Sequence, residues 1–202
     1  MSGHPRASAV RKTFGRAGGV LRTAEALRAG VHPRDLYELR DSGVLEQVSR
    51  GVFRLADLPP LAEPDLVTVA LRVPKAVIAL ISALHFHGLT VEIPHEVSIA
   101  LPKATSRPKL SWPSLRVYWF SGDLYSSGIE VHERDGIRLR VYGPAKTVVD
   151  CFRFRNRLGI DVALEALRSG LAERKFTPAQ IAHTARRCRV AAVMRPYLEA
   201  MQ

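Results

Sequence analysis

Asp57-Leu58-Pro59-Pro60-Leu61-Ala62-Glu63-Pro64 is the stretch that most limits how this chain can fold. Proline fixes φ and carries no N–H, so prolines spaced this closely suit neither a helix interior nor a central strand. A stiff, extended connector is what remains. The chain of 202 residues is therefore expected to divide into a first domain over residues 1–57, a connector over 58–64 and a second domain over 65–202. With 47% hydrophobic residues, each part has the material for a core.

In the first part, residues 7–16 read as a helix, which Gly18-Gly19 breaks. A second helix is expected from Thr23, whose hydroxyl can cap the first turn, to Gly30. Val31-His32-Pro33 follows, and Pro33 suits the first position of a third helix running to about Ser42. Residues 45–49 and 52–55 are short extended runs joined at Arg50-Gly51, where glycine supplies the positive φ of a tight turn. Three helices followed by a hairpin is the order of a winged helix-turn-helix, whose third helix enters the major groove while the wing lies along the backbone. Double-stranded DNA is the partner this order predicts.

Val31, Leu36 and Leu39 give the third helix an inward side, leaving His32, Arg34, Asp35, Tyr37, Glu38 and Asp41 on the exposed one. Arg34 is the candidate base reader, because a guanidinium matches O6 and N7 of guanine. Tyr37 and His32 suit sugar, phosphate or thymine-methyl contacts, and Asp35 and Glu38 complete the DNA-facing set. Arg50 and Arg54 flank the wing turn, while Arg6, Arg11 and Lys12 offer phosphate contacts from the first helix. A formal charge of +11 favours a polyanionic partner. Winged helices also serve as protein-docking modules, which is one alternative.

Beyond the connector, residues 65–72 and 75–87 have helical patterns, the second closed by Gly88. Residues 96–101 and 116–120 read as strands. Residues 129–134 and 137–142 flank Asp135-Gly136, a type I′ hairpin signal, with Val131, Ile137, Leu139 and Val141 directed to one face. Helices are expected over 144–156, 160–171, 178–187 and from about Val190. The fold class is thus α+β: an N-terminal winged helix-turn-helix, then a larger mixed α/β domain with a small antiparallel sheet and C-terminal helices.

Catalysis finds little support. His85 and His87 stand two apart, about 200° around a helix, so they cannot share a metal ion, and His87 is better placed to bond the last carbonyls of its helix. Cys151 and Cys188 lack a CxxC partner and read as buried free thiols. There is no phosphate-binding glycine loop and no GxSxG elbow, and Ser121-Gly122-Asp123 offers one carboxylate where a nucleotidyltransferase needs a pair. The enzymatic rival is a metal-dependent nuclease built on Glu130, Asp135 and Asp150, although the hairpin turn accounts for Asp135 and a pairing with Arg153 for Asp150. The expectation is a non-enzyme without metal or cofactor. Secondary basic patches stand at Lys103, Arg107 and Lys109, at Arg153, Arg155 and Arg157, and at Arg186, Arg187 and Arg189. The first residues lack the apolar region of a signal peptide and no stretch is apolar enough to span a bilayer, so a cytoplasmic, membrane-free protein is expected.

GGVLRTAEALRAGVHPRDLYELRDSGVLEQVSRGVFRL resembles the N-terminal domain of the AbiEi family of type IV antitoxins and transcriptional regulators. PKAVIALISALHFHGLT, IPHEVSIALPK, GIRLRVYGPAKTVVDCFRFRN and GIDVALEALRSGL resemble the C-terminal part of the same family, in the same order. The resemblance implies an autorepressor that binds inverted repeats in its own promoter, two copies meeting on the DNA. It also implies an antitoxin that opposes a nucleotidyltransferase toxin without needing a stable complex. By position, Arg34, Tyr37, Arg50 and Arg54 inherit the DNA contacts, the C-terminal domain inherits antitoxicity, and no catalytic residue is carried over.

Overall fold

The structure, a computed structural model, describes residues 5–201. Its contacts group into two compact units. One holds the described residues up to Pro74 together with His132–Leu139, and the other holds Lys75–Val131 and the residues from Arg140 onward.

The first unit runs α1 (Pro5–Arg16), β1 (Val20–Arg22), α2 (Thr23–Arg28), α3 (Pro33–Asp41), β2 (Leu45–Ser49), β3 (Val52–Leu55) and α4 (Pro64–Arg72). The three strands form an antiparallel sheet in the order β1-β3-β2, with Val20 opposite Arg54 and Leu45 opposite Leu55. Phe14, Ala26, Val31, Leu36, Leu45 and Phe53 make the centre of its core. The wing turn at Arg50-Gly51 and the proline start of α3 stand where the sequence placed them.

β1 is not legible in the sequence. Three residues are too few to show an alternating pattern, and what makes Val20-Leu21-Arg22 a strand is the open edge of β3. Its presence moves the cap of α2. Arg22 N–H donates to the Glu25 carboxylate at 2.9 Å, and Thr23 N–H is taken by the Gly51 carbonyl at 2.9 Å, so Thr23 is the first helical residue and not the cap.

The rest of the chain, which apart from residues 132–139 is the second unit, runs β4 (Val77–Ile78), α5 (Leu80–His87), β5 (Val97–Pro102), β6 (Leu115–Phe120), α6 (Asp123–Ser126), β7 (Ile129–Arg134), β8 (Ile137–Tyr142), α7 (Pro144–Arg153), α8 (Arg155–Leu158), α9 (Ile160–Ala172), α10 (Pro178–Arg187) and α11 (Ala191–Glu199). Its five-stranded sheet has the order β6-β5-β4-β8-β7. β4 is antiparallel to β5 but parallel to β8, and β5 is parallel to β6, so the sheet is mixed. Residues 75–79 are therefore not the start of a helix. Ala76-Val77-Ile78-Ala79 is buried throughout, and a run buried on every side has no periodicity to separate strand from helix.

The β7–β8 hairpin has the predicted bounds, with Asp135 at φ +53° and Gly136 at +74° as a type I′ turn requires. Leu139 and Val141 are buried, but Val131 is 63% exposed and does not share their face. Gly88 closes α5 in the left-handed conformation, while His87 Nε2 bonds the Tyr142 carbonyl at 2.8 Å instead of its own helix. Cys151 and Cys188 are free and buried, and burial raises the pKa of both thiols.

α7 sits at the centre of this unit, packed against α5, α9 and α10. Every residue from Lys146 to Phe152 is buried. Lys146 and Asp150, one turn apart on the same side, form an ion pair, and the ammonium lies 4.3 Å from the Tyr142 ring centroid and 4.9 Å from that of Phe120. Asp150 thus pairs with Lys146 rather than with Arg153. Its second oxygen, Oδ1, has no hydrogen-bond partner. Burial pushes the Asp150 carboxyl up to about 6, against the charges of Lys146 and Arg153, which pull it down.

Removing one member of such a pair strands a buried charge, whereas replacing both with apolar groups is often neutral. Lys146→Met alone is expected to cost about 3–5 kcal/mol at pH 7, and Lys146→Met with Asp150→Leu much less. A carboxyl whose folded pKa lies above its unfolded value gives stability that is present at acid pH and lost as pH rises through the folded pKa. The single variant therefore recovers stability between pH 7 and pH 4 while the double variant does not, as denaturant midpoints at the two pH values will report.

Candidate nucleic-acid interface

The first unit presents α3 and the β2–β3 turn as its polar, projecting features. α3 begins cleanly because His32 Nδ1 accepts from Arg34 N–H at 3.2 Å and Pro33 needs no partner for its missing N–H. His32 is thus the cap of the helix, and Nε2 is the nitrogen it offers outward. Leu36 is fully buried and Leu39 packs on the same core, which turns Arg34, Tyr37, Glu38 and Asp41 outward.

Arg34 is 76% exposed, and its Nε donates to Glu38 at 2.5 Å across one helical turn. That hydrogen bond and charge raise the guanidinium pKa still further. Asp35 is only 19% exposed and faces Arg6 of α1 at 3.9 Å. Tyr37 stands half-exposed, its ring edge-on to Phe53 at 5.9 Å and beneath the Arg40 guanidinium at 5.1 Å. Arg40 also binds Asp41 at 2.7 Å and Gln47 at 3.4 Å, linking α3 to β2. Sequence reasoning passed over Arg40, although its i,i+3 spacing from Tyr37 was the available signal.

The wing turn is held from behind by the α2 contact at Gly51 and by the Arg72 guanidinium, which donates to the Arg50 carbonyl. The Arg50 side chain is left exposed. Arg54 is different. It is 4% exposed, bonded to Glu46 at 2.6 Å, to the Leu58 carbonyl at 2.8 Å and to the Pro59 carbonyl at 2.5 Å. A guanidinium so enclosed cannot reach a phosphate, so Arg54 is corrected from a wing contact to a brace between the wing and the proline-rich segment. On α1, Arg11 pairs with Asp57, while Lys12 is exposed with no ion pair among the described residues.

The secondary patches lie in the second unit. Lys103 and Lys109 are exposed, and Arg107 donates to the Leu115 carbonyl at 3.1 Å. Arg155 donates to the Phe152 carbonyl at 3.1 Å and so closes the end of α7, whereas Arg153 and Arg157 point to solvent. Among the described residues no three His, Cys, Asp or Glu side chains gather as a metal site would need, and no helix is long and apolar enough to cross a membrane.

Residues 8–56 match a family described as "Transcriptional regulator, AbiEi antitoxin", the family whose N-terminal domain the sequence resembles. The fold is also similar to that of the RV2827C protein from Mycobacterium tuberculosis, with a TM-score of 0.57 and 17% identity over 90% of this chain and 71% of that one. No curated protein matches the chain.

The contrast between the two wing arginines is measurable. Arg54→Ala is expected to destabilise the protein by about 1.5–3 kcal/mol, through the loss of charge-assisted hydrogen bonds that are partly enclosed. Arg50→Ala, on an exposed turn, stays within about 0.5 kcal/mol of wild type. Equal denaturation midpoints for the two variants would remove the assigned bracing role.

Proposed function

We propose that the protein is a sequence-specific DNA-binding regulator of the AbiEi antitoxin kind, an autorepressor at inverted repeats in its own promoter. The observation that carries this reading is the capped, exposed first turn of α3, with His32, Arg34 and Tyr37, presented by a module that matches an antitoxin and regulator family. Arg34 reads a guanine, and the nearby Tyr37 ring meets sugar or a thymine methyl. Arg50 from the wing and Lys12 from α1 supply phosphate contacts. Two copies occupy the two half-sites, as an inverted repeat requires. The second unit carries the antitoxin role against a nucleotidyltransferase, with no chemistry of its own.

The electrostatics of α3 shape how this would work. Asp35, Glu38 and Asp41 outnumber Arg34 and Arg40 on the helix, so phosphate attraction falls to α1 and the wing. Arg34 must leave Glu38 to meet a base, and the price of that exchange is smallest where the alternative partner is bidentate. The same carboxylates favour a second reading, a docking surface for a basic protein partner.

Arg34→Ala is expected to weaken operator binding roughly 10–100-fold and to relax the preference at one base pair, following a cost of about 1–3 kcal/mol for one bidentate contact. Arg50→Ala weakens binding on all sequences and flattens its salt dependence. Glu38→Ala frees Arg34 and raises affinity. Footprinting on the DNA upstream of the gene, repeated across a salt series, separates the cases. A footprint that survives Arg34→Ala with Arg50→Ala refutes the interface, and capture of a basic protein without salt-sensitive DNA binding favours docking.

A further inference from the structure

The second unit holds a cavity of about 590 Å³ that none of the DNA-contact reading uses. Ser121, Asp123, Arg153, Arg187 and Arg189 are among the residues that line it. Its volume falls in the range that accepts a small molecule rather than a single water or ion.

Three features make it more than a surface hollow. The first is unbalanced charge. Among the described residues no ion pair is formed by Arg153, Arg187 or Arg189, which the cavity brings together. Three guanidiniums without an ion pair, against the one carboxylate of Asp123, leave the cavity net positive.

The second feature is where the cations come from. Arg153 is the last residue of α7 and Arg187 the last of α10, while Arg189 lies in the short connection to α11. Arg189 has φ +59°, held by hydrogen bonds from Arg189 N–H to the Arg186 carbonyl at 3.1 Å and from Val190 N–H to the Ala185 carbonyl at 3.0 Å. This is the left-handed residue that follows a helix end, a position where glycine avoids strain. The chain does use glycine in the equivalent place after α5, at Gly88. Arg174 after α9 accepts the same conformation at φ +55°, and of the two arginines it is Arg189 that lines the cavity.

The third is continuity. Arg187 and Cys188 also line an adjoining cavity of about 260 Å³, bordered by Lys146, Lys175 and His183, with Glu130 as its carboxylate. Lys146 is neutralised by Asp150 and Lys175 faces Glu173 at 3.5 Å, so the shared cation of the two cavities is Arg187.

We infer that this cavity binds a small molecule bearing two or more phosphate groups, with Arg153, Arg187 and Arg189 as its ligands. Guanidinium forks match phosphate oxygens, and the Ser121 hydroxyl can donate to another. Nucleoside polyphosphates and inorganic polyphosphates share this chemistry. A nucleic-acid backbone carries the same phosphate chemistry and is the competing occupant.

Titration calorimetry of the full chain with inorganic tripolyphosphate and, in parallel, with ATP tests the inference at constant ionic strength. Saturable binding at one site is expected, weakened at least tenfold by Arg153→Ala or Arg187→Ala and unchanged by Arg34→Ala. Equal affinity for the two probes assigns the site to the phosphates alone, and tighter ATP binding assigns it to nucleotides. Arg189→Gly is expected to weaken binding while raising the ligand-free thermal midpoint, a combination that a merely structural arginine would not give. Arg187→Lys, which keeps the charge without the fork, guards against a folding defect and should bind with intermediate affinity. No saturable binding, or binding lost in Arg34→Ala instead, overturns the inference. So does a DNA footprint that depends on Arg187 when neither probe binds.

Discussion

A helix enclosed on every side has no solvent face on which to place a charge, and α7 is such a helix. Lys146 and Asp150 are tolerated in it because each meets the other, and because the lysine ammonium rests against the Tyr142 and Phe120 rings. The rest of the second unit is arranged around that solution. α5, α9 and α10 cover the apolar positions of α7, and β6 and β8 supply the two rings. Arg153, the last residue of α7, is where the helix reaches solvent.

The first unit meets a similar constraint in a strand. Val52, Phe53, Arg54 and Leu55 are all buried, since β3 lies between β1 and β2 and both of its faces are covered. Arg54 in that strand has no route to solvent; its two terminal nitrogens donate to Glu46 and to two backbone carbonyls, while Nε is left without a partner. Outward duty on the wing falls to the turn, where Arg50 is exposed and its backbone is fixed by Arg72. A turn whose backbone is bonded and whose one cation is exposed is suited to a phosphate contact, because the ordering cost is confined to a single side chain.

These two buried polar positions also mark where the sequence stopped being informative. Turn chemistry was legible: Arg50-Gly51, Asp135-Gly136, Gly88 and Pro33 all stand where their dihedral preferences put them. A helix face with one apolar side was legible too, as in α3. β1 and β4 were not, since a three-residue edge strand and a two-residue central one carry no period and exist only through pairing with distant segments. Arg54 beside a turn reads as exposed unless the strand on its other side is known. Asp150 had two arithmetically equal partners, Lys146 and Arg153, and only the surrounding helices decide which one is enclosed with it.

The distribution of charge in the first unit argues for a division of labour within it. α3 carries three carboxylates and two guanidiniums, so by itself it does not attract a polyanion. Yet each carboxylate faces an arginine, Asp35 facing Arg6, Glu38 facing Arg34 and Asp41 facing Arg40. The Arg34–Glu38 pair is exposed enough to exchange partners at little cost. A reading helix that is neutralised in this way discourages binding on arbitrary sequence, because non-specific affinity comes almost wholly from phosphates. On the proposed reading, α1 and the wing would set how tightly the module holds DNA, and α3 which DNA it holds.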